Sequence, residues 1–116
     1  MFQNWKDVEA KQVLQILKDI KSLFEDKSKW ITWPLAETSF GTEANPQSEV
    51  AVKWSLMGAI EKFAFIKFEA PLHHFVDNAT RDYLNNLAGD KLWKTSTSYE
   101  DEVALIALAI EDLEKK

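Results

Sequence analysis

The chain has 116 residues, of which 46% are hydrophobic and 28% charged, with no cysteine and a formal net charge of −5 at pH 7. Its length predicts one domain over residues 1–116. The lack of cysteine excludes disulfide frameworks, cysteine-ligated zinc sites and thiol nucleophiles, and an acidic chain without a basic cluster is poorly suited to bind nucleic acid directly.

No targeting or membrane-spanning segment is predicted. Charged residues occur throughout the first 26 positions, which leaves no apolar region of the signal-peptide type. The longest apolar run, Val103 to Ile110, is far shorter than the roughly 20 residues that a membrane span needs. We therefore expect a cytoplasmic protein that does not associate with membranes.

The first two helices are predicted from apolar spacing and from their start signals. Apolar residues three and four positions apart predict a helix over Asn4 to Glu25, with Asn4 as its N-cap. A second helix is expected to begin at Asn45-Pro46, because an N-cap residue followed by proline is a typical helix start. This helix runs to about Phe63 or beyond and places Trp54 in the core, and the segment "FAFIKFEAP" that follows is either the tail of the helix or a short strand.

Two further helices complete the predicted fold. The third begins near Pro71 and ends at Gly89, a residue suited to a left-handed helix stop. The fourth opens at Ser98, and the acidic run Glu100 to Glu102 suits the positive end of its dipole. The fold class is therefore all-α or mainly α, a compact bundle of about four helices.

A long connection separates the first two helices. Residues 26–47 contain Pro34, Gly41 and Pro46, and about twenty residues without a helix is long for a compact domain. The piece "KWITWPL" within it could form a short edge strand or an extended arm. We expect this tryptophan-containing linker to hold a short β element or a function.

The segment "EVAVKWSLMGAIEKF" places two small residues, Ser55 and Gly58, inside the predicted second helix. Glycine in a helix interior costs up to about 1 kcal/mol against alanine, and close approach of another backbone would offset that cost. The Ser55 hydroxyl could bond the carbonyl of Ala51. The stripe is therefore interpreted as a packing groove, with a binding site as the alternative.

Histidine offers the best candidate for chemistry. His73 and His74 are the only histidines, and each is spaced to share a helix face with Asp77. No third ligand is apparent, so surface histidines are the favoured interpretation and no metal or cofactor is expected. A small-molecule or metal site, or a weak enzyme using these three residues, remains the alternative.

Aromatic residues in the connections form the candidate protein-binding surface. Five tryptophans are unusual for this length, and tryptophan is enriched at binding hot spots. The candidate residues are Trp30, Trp33, Phe40 and Trp93. The alternative is that these rings cover the ends of the bundle.

Two segments, "VKWSLMGAIEKF" and "YLNNLAGDKLWKTSTSYEDEVALIALAIEDL", resemble a family of small uncharacterised bacterial and phage proteins. That family carries a helix motif W-C-x-x-G-A-[LI] and a later L-x-x-W-N-D segment that leads to E-V. The matching residues in this chain are Trp54, Gly58, Ala59, Ile60, Trp93, Glu102 and Val103.

This chain departs from the family pattern at two places. Ser55 stands where the family has cysteine, and Lys94-Thr95 replaces Asn-Asp. The resemblance implies a compact helical fold and a phage or bacterial origin. Since the family has no established activity, it implies no catalytic residue.

Three hypotheses on function follow. The first is a non-enzymatic acidic protein that binds another protein with a basic surface, such as a phage-encoded inhibitor of a host defence complex. The second is the small-molecule site or weak enzyme at His73, His74 and Asp77. The third is a self-associating module that uses surplus apolar area on the last helix.

Overall fold

The computed structural model describes residues 8–89 and 98–115. Within these residues it contains the helices α1 (Ala10–Phe24), α2 (Leu56–Lys67), α3 (Leu72–Ala88) and α4 (Tyr99–Glu114). Two short strands, β1 (Ala36–Glu37) and β2 (Lys53–Trp54), form an antiparallel pair. The mainly α bundle and the short β element are both confirmed.

The four helices share one hydrophobic cluster. α1 packs against α2 and α4, and α3 packs against the same two helices. The side chains most fully buried in this cluster come from all four helices: Phe24, Ile16, Leu17, Ile20, Ile60, Leu84, Ile106, Val13 and Val76. None of the helices described combines the length and the hydropathy needed to cross a membrane.

The predicted start of the first helix is wrong. α1 begins at Ala10, after an extended Glu9 that forms a capping box with Gln12. The Glu9 side chain accepts from the backbone at Gln12, and the Gln12 side chain accepts from the Glu9 N–H at 2.8 Å. Asn4, the predicted cap, lies outside the described residues.

The predicted start of the second helix is also wrong, by about ten residues. Asn45 begins a turn instead, since its side chain accepts from the Gln47 N–H at 3.0 Å and its carbonyl from the Ser48 N–H at 2.9 Å. Trp54 is buried as expected but lies in β2, not in a helix. Its indole N–H donates to the Pro46 carbonyl at 3.0 Å, which holds the turn against the sheet.

Ser55 is the N-cap of α2. Its hydroxyl accepts from the Gly58 N–H at 3.2 Å and reaches the Leu35 carbonyl at 3.5 Å, so the predicted bond to Ala51 is not formed. The predicted close approach at Gly58 is confirmed, because a Cβ there would lie 1.8 Å from the Leu35 carbonyl oxygen. That carbonyl also accepts from the Ser55 N–H at 3.1 Å. The linker is therefore fastened to the first turn of α2.

The predicted signals at the ends of α3 and α4 are confirmed. Gly89 takes the left-handed conformation, with φ +62°, after the last turn of α3. The Ser98 hydroxyl accepts from the Asp101 N–H at 3.1 Å at the start of α4. The segment between Phe63 and Pro71, which could have been a strand, continues α2 as far as Lys67.

Candidate protein-binding surface

Among the candidate aromatic residues, Trp30 is half-buried and packs against the hydrophobic core. The residue forms a parallel bridge with Trp54, and the Ile31 N–H donates to the Trp54 carbonyl at 3.0 Å. The Trp30 ring packs edge-on against Tyr99 of α4, with 5.7 Å between centroids. The Tyr99 hydroxyl in turn donates to the Phe24 carbonyl at the end of α1. Trp30 therefore joins the start of the linker to α1 and α4.

The carboxyl group of Glu102 completes this junction. It accepts from the Trp30 indole N–H at 3.1 Å, and only 6% of the residue is exposed. Burial raises the pKa of Glu102 to about 7, the Trp30 hydrogen bond opposes that rise, and the nearby charge of Asp101 adds to it. The sequence indicated only a helix-start acidic residue here, and no local signal marked Glu102 as buried.

Phe40 has the opposite surroundings. It lies at the tip of a hairpin from Ala36 to Ala44, and 91% of it is exposed. Gly41, with φ +80°, supplies the left-handed residue that this tight turn needs. Phe40 therefore projects into solvent from an ordered turn.

Hydrogen bonds within the hairpin hold that turn. The Thr38 N–H donates to the Thr42 carbonyl at 2.9 Å, and the hydroxyls of the two threonines lie 2.7 Å apart. The Phe40 N–H donates to the Thr38 hydroxyl at 3.2 Å, and the Gly41 N–H to the Thr38 carbonyl at 3.0 Å. The backbone that carries the aromatic ring is consequently fixed before any partner arrives.

Two valines extend the apolar surface at this end of the sheet. Val52, the residue before β2, donates its N–H to the Glu37 carbonyl at 2.9 Å, which places it at the hairpin end of the strand pair. Val50 precedes it by two residues. Val52 is 41% exposed and Val50 is 60% exposed. We call Phe40, Val50 and Val52 the hairpin-tip patch.

The outward face of the sheet is acidic. Glu37 lies opposite Glu43 in the hairpin and opposite Lys53 in β2. The hydrogen bonds flanking the Glu37–Glu43 pair make it a non-hydrogen-bonded pair, in which the side chains lie closest. Directly opposed like charges destabilise a sheet. This face, which we call the acidic face (Glu37, Glu43 and Lys53), therefore carries an electrostatic cost in the free protein.

The other two candidate aromatics do not join this patch within the described structure. Trp33 is 77% exposed but precedes β1, whereas Phe40 follows it, so the two rings lie at opposite ends of that strand. Trp93 lies outside the described residues. Phe40 and Trp33 are thus both exposed residues of the linker, and only the structure shows that they are separated.

The histidine candidates come together with Asp77 in a groove between α2 and α3. The ring centroids of His73 and His74 are 4.0 Å apart, and an open cavity of about 270 Å³ adjoins both rings. Asp77 is engaged by Arg81, whose Nε lies 2.6 Å from its Oδ1. Among the described residues, no three His, Cys, Asp or Glu side chains are grouped closely enough to hold a metal ion.

Comparisons with protein-family models, curated proteins and solved structures found no match to this chain. The function is therefore argued from the surface itself.

Proposed function

We propose that this protein is a non-enzymatic binding module that attaches to another protein through the hairpin-tip patch. The observation that carries the proposal is Phe40, a large aromatic ring 91% exposed at the end of a hydrogen-bonded turn. Aromatic side chains are frequent anchors at interfaces. Burial of an apolar ring of this size in a partner's pocket would remove it from water, which favours binding.

The fixed turn supports the same proposal. A loop that must be ordered on binding loses conformational entropy, and this loss weakens the complex. The Thr38 hydroxyl and the Thr42 backbone already hold the turn around Phe40. The ring can therefore enter a partner's pocket without that loss.

The acidic face indicates the chemistry of the partner. Glu37 and Glu43 repel each other in the free protein, and Lys53, which lies opposite Glu37, offsets only part of this repulsion. A cation from a partner beside Glu43 would offset the rest. We propose a partner with an apolar pocket bordered by lysine or arginine. A phage-encoded inhibitor that covers a basic surface of a host complex is one form of such a binding protein, and the phage or bacterial origin is what the sequence resemblance implies.

Charge also favours a partner different from this chain. In a two-fold symmetric dimer the same face is used by both copies, so two faces that each carry two glutamates and one lysine would meet, which is a net repulsion. Self-association through the last helix is a separate prediction. Light scattering over a concentration series tests it, and a concentration-independent monomer mass would contradict it.

Affinity capture with matched variants tests the binding proposal. The immobilised wild-type protein is compared with Phe40→Ala and with Phe75→Ala, which truncates a partly exposed ring on α3. We expect one host protein to be retained by the wild type and by Phe75→Ala but lost with Phe40→Ala. Retention by all three variants, with their folding verified by circular dichroism, would remove the hairpin tip from the interface.

A further inference from the structure

The groove between α2 and α3 is built from two facing pairs of side chains. Glu61 and Phe65 lie one turn apart on α2, and His73 and Asp77 lie one turn apart on α3. Residues His74 and Gln47 also line the groove, the latter from the turn that follows the hairpin. Three separate parts of the chain therefore converge on one cavity.

One carboxylate in this groove has no ion-pair partner in the part of the chain that the structure describes. The charge of Asp77 is balanced by Arg81, at 2.6 Å. Glu61 is half-buried, and within residues 8–89 and 98–115 no cation forms an ion pair with it. A carboxylate in such a position attracts a cation more strongly than one on the open surface, because solvent screens it less.

Aromatic rings line the same groove as Glu61. Phe65 contacts His73 edge-on, with 5.3 Å between centroids, and His74 is tilted against His73. Of these rings, the phenyl group of Phe65 has an electron-rich face, which attracts a cation positioned within about 6 Å. A carboxylate beside aromatic rings favours a flat cation, because a flat group can stack on a ring while it pairs with the carboxylate.

We propose that this groove binds a guanidinium group. A guanidinium stacks on rings and pairs with a carboxylate through two parallel N–H bonds, whereas a compact ammonium does neither as well. The cavity of about 270 Å³ suits a group of side-chain size, since pockets for drug-sized ligands begin at roughly 300 Å³.

Gln47 provides a second acceptor for such a group. Its amide oxygen is shielded from water and lacks a donor in the described structure. A buried acceptor without a donor is unfavourable, and a rotation of the Gln47 side chain toward the groove would let an N–H delivered there correct it. A guanidinium has five N–H donors, enough to serve Glu61 and Gln47 together. The group could come from an arginine side chain of another protein or from a free guanidino compound.

The test is a titration followed by nuclear magnetic resonance. The probes are a blocked arginine (N-acetyl-arginine methylamide), its uncharged analogue with citrulline, and ethylguanidinium. We expect the blocked arginine to give saturable shifts at Phe65, His73 and His74, with the citrulline analogue binding at least about tenfold more weakly. Equal affinity for ethylguanidinium would indicate recognition of the cation alone, and tighter binding of the blocked arginine would indicate a peptide source.

Matched variants locate the binding. Glu61→Gln should weaken arginine binding at least about tenfold. Glu69→Gln, which removes an exposed carboxylate just beyond α2, should leave it unchanged. Shifts that do not saturate, equal shifts with citrulline, or equal losses in both variants would overturn the proposal. The inference goes beyond the hairpin-tip proposal, because binding of free guanidinium probes does not require Phe40.

Discussion

The two ends of the linker between α1 and α2 carry aromatic side chains in opposite surroundings. At the first end, Trp30 packs on Tyr99 and donates to the buried Glu102 of α4. At the hairpin, Phe40 is almost fully exposed, yet its turn is tied by hydrogen bonds within the hairpin alone. The Trp30 end of the linker contributes to the packing of the fold, whereas the Phe40 ring at the hairpin makes little contact with the rest of the protein.

The fastening of the linker to α2 explains how both ends coexist. Leu35 lies directly before β1, and its carbonyl fits against Gly58 while accepting from the Ser55 N–H. This contact lies between the buried first end and the exposed hairpin. Disturbing it should break the fold, whereas disturbing the tip should not. The following variants test this difference, from the largest expected effect to the smallest.

Gly58→Ala should give the largest loss of stability. The added methyl carbon would lie 1.8 Å from the Leu35 carbonyl oxygen, and a backbone atom cannot move away as a side chain can. We expect the free energy of unfolding, measured by urea denaturation, to fall by about 3 kcal/mol or more. Gly89→Ala is the control, because it meets no neighbour and costs only about 1–2 kcal/mol of left-handed strain. Equal losses in the two variants would contradict the close contact.

Glu102→Gln should change the pH dependence of stability. The folded protein holds the Glu102 proton up to a pKa of about 7, against 4.5 for an ordinary glutamate, so it binds the proton more tightly than the unfolded chain. The stabilising contribution is present below pH 4.5 and is lost as pH rises to 7, which amounts to about 3 kcal/mol.

Glutamine keeps the acceptor for Trp30 but cannot ionise, so this variant should be more stable than the wild type at pH 8 and similar to it at pH 4. Denaturation curves across this range give the difference. Glu69→Gln, which removes an exposed carboxylate outside the helices, is the control. If Glu102→Gln follows the wild-type profile in parallel, the carboxyl is not buried as described.

Ser55→Ala should have a smaller effect. It removes the hydroxyl that accepts from the Gly58 N–H, and loss of a helix N-cap typically costs about 1 kcal/mol. Urea denaturation of this variant should be compared with that of Ser22→Ala, an exposed serine on α1 that should change stability by less than about 0.5 kcal/mol. If the two serines prove equivalent, Ser55 is not a cap.

Glu43→Gln should stabilise the free protein slightly. It removes one of the two opposed carboxylates on the acidic face, which we expect to add about 0.5 kcal/mol at low salt. Thermal unfolding in dilute buffer and in 1 M salt tests the cause. In 1 M salt the Debye length is about 3 Å, so the repulsion between the two carboxylates is screened. A gain that persists at high salt would indicate a cause other than charge.

Sequence alone was sufficient where structure depends on neighbouring residues. Gly89 and Ser98 were identified as helix stop and helix cap, because each acts on the backbone within three or four residues of itself. The close approach at Gly58 was also predicted, since glycine inside a helix needs a reason. What could not be predicted was the segment that makes this approach, because Leu35 is 23 positions away in the chain.

Asn45-Pro46 shows why the second helix was placed too early. An asparagine side chain caps a turn by the same hydrogen bonding that caps a helix, so the local signal does not separate the two. The pairing of β2 with β1 decides that Asn45 caps a turn and not a helix. The exposure of Phe40 likewise depends on this register, and the burial of Glu102 depends on Trp30, 72 positions away.

The binding affinity of Phe40→Ala for the captured partner tests the central claim most directly. Once the partner is purified, isothermal titration calorimetry should show at least about a thirtyfold rise in the dissociation constant, which corresponds to the roughly 2 kcal/mol of a hot-spot residue. An unchanged dissociation constant, or a loss of affinity explained by unfolding of the variant, would contradict the account.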